Sequence, residues 1–217
     1  MIAILVVVLS GLVAAALVAA VGPGEATERG ALLLSGGVAT ILGVLLHLQV
    51  RFPRRLGQLL GWRPPTLRAA LVGAGHGLLA FAVINIAVGA LLTYLSAQLG
   101  FELPEVQEQL RDAAADPALA PVLVFVTVLV GPLAEELFFR GVLFQMLRQR
   151  IGWARGAWLS GVLFALVHGH WLAILLFIPL GAYLGWLFHR TGSLLTPLAA
   201  HVVFNLLGVA ALLDQVA

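Results

Sequence analysis

The sequence contains no cysteine and no lysine, and only 10% of its 217 residues are charged. The absence of cysteine excludes disulfide bonds, thiolate metal sites and a cysteine nucleophile. The shortage of charge, together with a hydrophobic content of 61%, excludes an ordinary soluble globular protein. The composition instead predicts an all-α polytopic membrane protein whose first partner is the lipid bilayer.

Charges and Pro/Gly clusters divide the chain into apolar runs, most of which can cross a hydrocarbon core of about 30 Å. The first run has no basic residues before it and is longer than a signal-peptide core, so it predicts a retained helix. We therefore predict about seven transmembrane helices in one integral membrane domain, 1–217. Its N-terminal helices, 1–117, carry no motif, whereas 118–213 form a motif-bearing core. The runs are 2–21, 31–50, 69–99, 118–147, 156–171, 172–188 and 194–213.

Three shorter features complete the predicted architecture. The cluster at 22–24 predicts a turn after the first helix. Residues 101–112 have apolar positions at helical spacing and an acidic opposite face, which predicts a short amphipathic helix at the outer surface. Helix 156–171 is only about 24 Å long, so the hairpin that it forms with the next helix is short enough to stop before the outer surface.

The basic residues are all arginines, and most of them fall in three loops. By the positive-inside rule these loops are cytoplasmic, which predicts a plasma-membrane protein with its N-terminus in the cytoplasm and its C-terminus outside. This distribution explains the basic balance without any nucleic-acid partner. The loops contain Arg51, Arg54, Arg55, Arg63 and Arg68, then Arg148, Arg150 and Arg155, then Arg190.

Two adjacent carboxylates, Glu135 and Glu136, and one cation, Arg140, interrupt the apolar run 118–147. An ionisable residue at the centre of a membrane helix costs about 2.5–3.5 kcal/mol even on the lenient insertion scale. Glu136 and Arg140 are four residues apart, so they can pair on one helix face. Glu135 points about 100° away and has no basic neighbour on that helix. It is therefore the candidate general base.

Polar residues on two later helices reach the same depth as Glu135. Counted from the nearest cytoplasmic arginine, Glu135, His168 and His201 lie roughly 20, 20 and 17 Å into the membrane. His168 could share or relay a proton with Glu135. His201 and Asn205 are one helical turn apart on one face, so an imidazole and an amide could donate hydrogen bonds to one developing oxyanion. The sequence thus predicts a single buried polar site.

Three ordered elements resemble the EExxxR, FxxxH and HxxxN motifs of the CAAX protease and bacteriocin-processing family, also called CPBP or Abi. That family includes the type II CAAX prenyl endopeptidases, or Ras-converting enzyme homologues. Each motif alone is weak, but the ordered triple on apolar helices is specific and covers about 131–205. The elements run from Glu135 to Arg140, from Phe164 to His168 and from His201 to Asn205.

The resemblance implies an all-helical intramembrane glutamate-type peptidase with no catalytic metal and no cofactor. In that comparison Glu135 matches the water-activating glutamate and His168 its assistant. His201 and Asn205 match the oxyanion-stabilising pair. The implied substrate is a peptide or protein, lipidated or embedded in the membrane. The supporting motif positions correspond to Glu136, Arg140 and Phe164.

Other functions remain open from the sequence. A metalloprotease could use the two glutamates and two histidines, but the HExxH pairing is absent. A serine intramembrane protease would use Gly-x-Ser-Gly, and the sequence around Ser160 lacks the first glycine. A non-enzymatic scaffold or immunity protein would not need both a base and an oxyanion pair. A proton-coupled transporter could use the Glu/His cluster as a relay, although no internal repeat is visible.

Overall fold

The computed structural model describes residues 26–51, 57, 66–100, 115–117, 119–168 and 171–216. Within these ranges the helices are joined by short turns, and there are no strands. Four of the helices are long and apolar enough to cross a membrane, which confirms the predicted all-α polytopic class. The prediction of about seven transmembrane helices exceeds the four found in the described residues, and the number seven stays a prediction. The predicted helix 2–21, the turn 22–24 and the amphipathic helix 101–112 lie outside the described residues.

The described helices follow the predicted apolar runs to within a few residues at most ends. One boundary prediction, the end of helix 156–171, is wrong because the helix closes at Leu166. The His168 N–H bonds to the Ala165 carbonyl, only three residues back, and this tight turn ends the helix before His168. The helices are α1 Ala26–Arg51, α2 Leu67–Leu99, α3 Ala120–Ile151, α4 Trp153–Leu166, α5 Trp171–Thr191 and α6 Leu195–Val216.

Two tight turns at glycines fold the motif-bearing helices into hairpins. Gly152, with φ of 82°, joins α3 to α4, and Gly192, with φ of 63°, joins α5 to α6. Positive φ is open to glycine without steric cost, which explains why each helix pair reverses at these residues. Both turns lie next to arginines that are predicted to be cytoplasmic. The turns of the two hairpins are therefore predicted to lie on the same, cytoplasmic side.

Small residues bring α2 and α6 into backbone contact. Gly73 and Gly77 form a GxxxG pattern on α2, and a Cβ atom at either position would lie 2.4 Å from a carbonyl oxygen of α6. The oxygens belong to Thr196 and Ala200, respectively. Small residues at such spacing allow transmembrane helices to approach closely. Since His201 follows Ala200 directly, this contact also fixes the position of a predicted site residue.

This packing gives a prediction with a matched control on the same helix. Gly77→Ala is expected to lower the free energy of unfolding by about 1–3 kcal/mol, because the new methyl group overlaps the Ala200 carbonyl. Gly75→Ala is not expected to lower it and is expected to raise it by up to about 1 kcal/mol, since no heavy atom lies within 4 Å of a Cβ there. Thermal unfolding in detergent measures both variants. Equal unfolding temperatures would contradict the close α2–α6 contact.

Candidate active site

The glutamate pair lies on a short α-helical segment between two π-helical turns of α3. The segment is Gly131–Phe138, and the π turns are Val126–Val130 and Phe139–Phe144. Such turns often mark functional sites, because each one shifts the helical register locally. The sequence interpretation missed them. The signal that could have revealed the first one is Pro132, since an interior proline removes a backbone hydrogen bond.

Glu136 and Arg140 form the buried centre of the site. Glu136 Oε1 lies 2.8 Å from an Arg140 guanidinium nitrogen, and both side chains are 0% exposed. The predicted pairing is therefore confirmed. Arg140 also donates to the Gly181 carbonyl of α5 at 3.0 Å, and its guanidinium lies 5.1 Å from the centre of the Phe164 ring. The cation is thus held by a carboxylate, a carbonyl and an aromatic face.

His201 bridges the two glutamates. Its Nδ1 lies 2.9 Å from Glu136 Oε1, and its Nε2 lies 3.5 Å from Glu135 Oε2. Glu136 Oε1 already accepts from Arg140, so His201 must donate through its Nδ1–H. The remaining nitrogen, Nε2, therefore faces Glu135. The His201 side chain is only 2% exposed, so it covers this side of the Glu135 carboxylate.

His168 approaches the other side of Glu135. Its Nδ1 lies 2.7 Å from the Phe164 carbonyl, which can only accept, so Nδ1 carries the hydrogen. Its Nε2 is 3.9 Å from Glu135 Oε1, too long for a direct hydrogen bond. The side chains of His168 and Glu135 are 26% and 29% exposed, respectively. This is the open side of the site, where a water molecule can reach both residues.

The residues predicted to share one depth therefore come together. Glu135 contacts imidazoles from the end of α4 and from α6, as the depth argument requires. Asn205 also lies on α6, where its Nδ2 donates to the Thr127 carbonyl at 2.9 Å. That contact ties the amide to the first π turn of α3. The oxyanion role of His201 and Asn205 stays a prediction.

Phe164 holds the two histidines and the arginine in one cluster. Its ring is 1% exposed, and its centre lies 4.7 Å from that of His168 and 5.6 Å from that of His201. The same residue accepts the His168 hydrogen bond through its carbonyl. Because it also covers Arg140, it contacts most of the polar cluster. This placement suits the supporting position that the motif comparison gives it.

Two carboxylate oxygens in the cluster remain without a hydrogen-bond partner from the protein. They are Glu135 Oε2 and Glu136 Oε2, and both are buried. Leaving such an oxygen unsatisfied is costly, so these atoms favour a water molecule or a donor group of a ligand. Within the part of the chain that the structure describes, no group of three or more His, Cys, Asp or Glu residues is placed to hold a metal ion.

Part of the chain is similar to known proteins. Residues 117–207 match the family described as Type II CAAX prenyl endopeptidase Rce1-like. The chain is 30% identical over 96 residues to the "Putative membrane peptidase YdiL" of Bacillus subtilis (strain 168), covering 44% of this chain and 39% of that protein. It is also 30% identical over 89 residues to the "Uncharacterized protein YpbD" of the same organism, covering 39% of this chain and 42% of that protein.

The matches thus span about two fifths of the length of each of these relatives. No solved structure gives a significant match to the chain. The family match contains all three motifs, from Glu135 to Asn205. The resemblance predicted from those motifs is therefore confirmed for the segment that carries them.

Proposed function

Since residues 117–207 match the Rce1-like type II CAAX prenyl endopeptidases, we propose that this chain is an intramembrane peptidase that uses a glutamate-activated water molecule. One observation carries the proposal. Glu135 lies between the Nε2 atoms of His168 and His201, within a polar cluster surrounded by apolar helices. A partly exposed carboxylate in such surroundings is suited to remove a proton from water.

The first step takes place on the open side of the site. Water bound beside Glu135 and His168 transfers a proton to the Glu135 carboxylate while its oxygen attacks the peptide carbonyl. The hydrogen bond from His168 Nδ1 to the Phe164 carbonyl leaves the Nε2 lone pair free to orient that water. The proton then passes from Glu135 to the amine of the leaving group as the peptide bond breaks.

The negative charge that develops on the carbonyl oxygen needs donors, and His201 and Asn205 supply them in this proposal. Because His201 already donates to Glu136 through Nδ1, it can donate through Nε2 only as the imidazolium. Glu136 is itself neutralised by Arg140, so its role is to orient His201 rather than to react.

The substrate and the setting follow from the depth of the site. Roughly 20 Å from the cytoplasmic arginines, the cluster is reached most easily by a peptide or protein that is lipidated or embedded in the membrane. We assign the chain to the plasma membrane, with its N-terminus cytoplasmic and its C-terminus outside. No cofactor, metal or nucleic acid takes part. Residues 118–213 form the catalytic core in this proposal.

A second candidate function is not enzymatic. A carboxylate flanked by two imidazoles could also relay protons, as in a proton-coupled transporter. A scaffold or immunity protein could keep the same cluster for binding alone. These functions differ from the peptidase in one measurable respect, because neither of them gives cleavage products.

The deciding experiment presents the purified protein with prenylated and unprenylated peptide libraries. The wild type is expected to release cleavage products at the same rate with and without a chelator. His168→Ala is expected to lower kcat by about 10²-fold, because the water loses its second partner. His189→Ala is the matched control, since His189 stacks on Trp153 at the cytoplasmic end, outside the site.

Three outcomes would contradict the proposal. Undiminished hydrolysis by His168→Ala would remove His168 from the mechanism. Loss of activity with the chelator and recovery with zinc would indicate a metalloprotease. If no peptide were cleaved under any condition, the transporter or scaffold function would be favoured instead.

A further inference from the structure

The first π turn of α3 leaves one backbone carbonyl without a donor from its own helix. The Gly131 N–H bonds to the Val126 carbonyl, five residues back. In α-helical geometry the Thr127 carbonyl would accept from Gly131, and in π-helical geometry it would accept from residue 132. Residue 132 is proline, which has no N–H. The Thr127 carbonyl therefore needs a partner from elsewhere, as any carbonyl at membrane depth does.

The partner is the Asn205 amide of α6, whose Nδ2 lies 2.9 Å from the Thr127 oxygen. Pro132 is fully buried, and in the sequence it lies three residues before Glu135. A side-chain amide carries two N–H groups in one plane. Once the first is bonded to Thr127, the orientation of the second is fixed as well. The second N–H belongs to the residue one turn after His201.

We propose that Pro132 is a positioning residue, which frees the Thr127 carbonyl so that this carbonyl orients the Asn205 amide toward the reacting peptide. The inference rests on the proposed peptidase function and extends it to a residue outside the three motifs. Two neighbouring pairs of residues in α3 then have complementary roles. Gly131 and Pro132 orient a hydrogen-bond donor for the oxyanion, and the glutamate pair activates the water.

A double-mutant cycle between Pro132 and Asn205 tests this role. Pro132→Ala restores an N–H that can bond to the Thr127 carbonyl and compete with Asn205. It is expected to lower kcat about tenfold with KM unchanged. Asn205→Ala is expected to lower kcat by about 10²-fold in the wild type, but by only about tenfold in the Pro132→Ala background. Pro121→Ala is the control, because Pro121 lies in the first turn of α3, where an N–H has no acceptor within the helix.

Losses of kcat that simply multiply in the double variant would overturn the proposal, and so would full activity of Pro132→Ala. Asn205→Asp provides a test that leaves Pro132 in place, because it keeps the side-chain size and removes both N–H groups. It is expected to lose as much kcat as Asn205→Ala. Wild-type kcat in Asn205→Asp would also overturn the proposal.

Thermal unfolding in detergent separates this inference from the proposed function. Asn205→Ala is expected to lower the unfolding temperature by about 2–4 °C in the wild type and by less in Pro132→Ala. Equal shifts in both backgrounds would overturn the role of Pro132 even if peptides are cleaved. If the wild type cleaved no peptide, the proposed function would fail, while the unfolding temperatures would still decide whether Pro132 frees the carbonyl for Asn205.

Discussion

Glu135→Gln is expected to lower kcat for peptide hydrolysis by about 10³-fold while leaving the fold intact. Glutamine has the size of glutamate but cannot take a proton from water. The contacts that it would change are long, 3.5 Å to His201 and 3.9 Å to His168. The side chain is also 29% exposed, so little stability depends on its charge.

The measurement is single-turnover hydrolysis of a peptide that the wild type cleaves, together with an unfolding temperature for each variant. Asp214→Asn is the matched control, since it makes the same carboxylate-to-amide change at an exposed position near the end of α6. It should hydrolyse the peptide at the wild-type rate. A Glu135→Gln variant that unfolds and hydrolyses like the wild type would remove Glu135 from the mechanism.

Glu136→Leu is expected to lower the free energy of unfolding by about 3–5 kcal/mol. The substitution leaves the Arg140 guanidinium, which is 0% exposed, without its carboxylate. The Gly181 carbonyl and the rings of Phe139 and Phe164 would still face the buried cation, but none of them carries a negative charge. The loss should appear as a lower unfolding temperature and a lower yield of folded protein in detergent.

A second substitution separates the charge from the packing. Arg140→Met in the Glu136→Leu background removes the unpaired cation, and it should restore most of the lost stability. It should not restore hydrolysis, because His201 lacks the carboxylate that holds its Nδ1–H. Arg150→Met, at an exposed position, should change stability by less than about 0.5 kcal/mol. An unfolding temperature of Glu136→Leu equal to that of the wild type would show that Arg140 finds another counter-ion.

Two neighbouring glutamates are thus expected to have opposite phenotypes. One substitution removes the reaction and keeps the fold, and the other weakens the fold first. The difference arises because adjacent residues on a helix point about 100° apart. Glu136 faces Arg140 in the dry interior, whereas Glu135 faces the open side with His168.

The sequence by itself determined the class of the protein, most helix boundaries and the Glu136–Arg140 pair. These properties follow from composition and from distances along a single helix, which the rise and pitch of the helix fix locally. The end of α4 was the exception. The apolar run continues past Leu166, and only the hydrogen bond from His168 to Ala165 shows where the helix closes.

Tertiary structure alone decided how the site is assembled. It set which nitrogen of His168 and of His201 faces Glu135, and it joined Asn205 to the Thr127 carbonyl across 78 residues of sequence. It also brought Gly77 against Ala200. Residue spacing fixes position along a helix axis, but it does not fix the rotation of one helix against another. That rotation depends on side-chain packing and on unsatisfied backbone groups, which only the folded chain brings together.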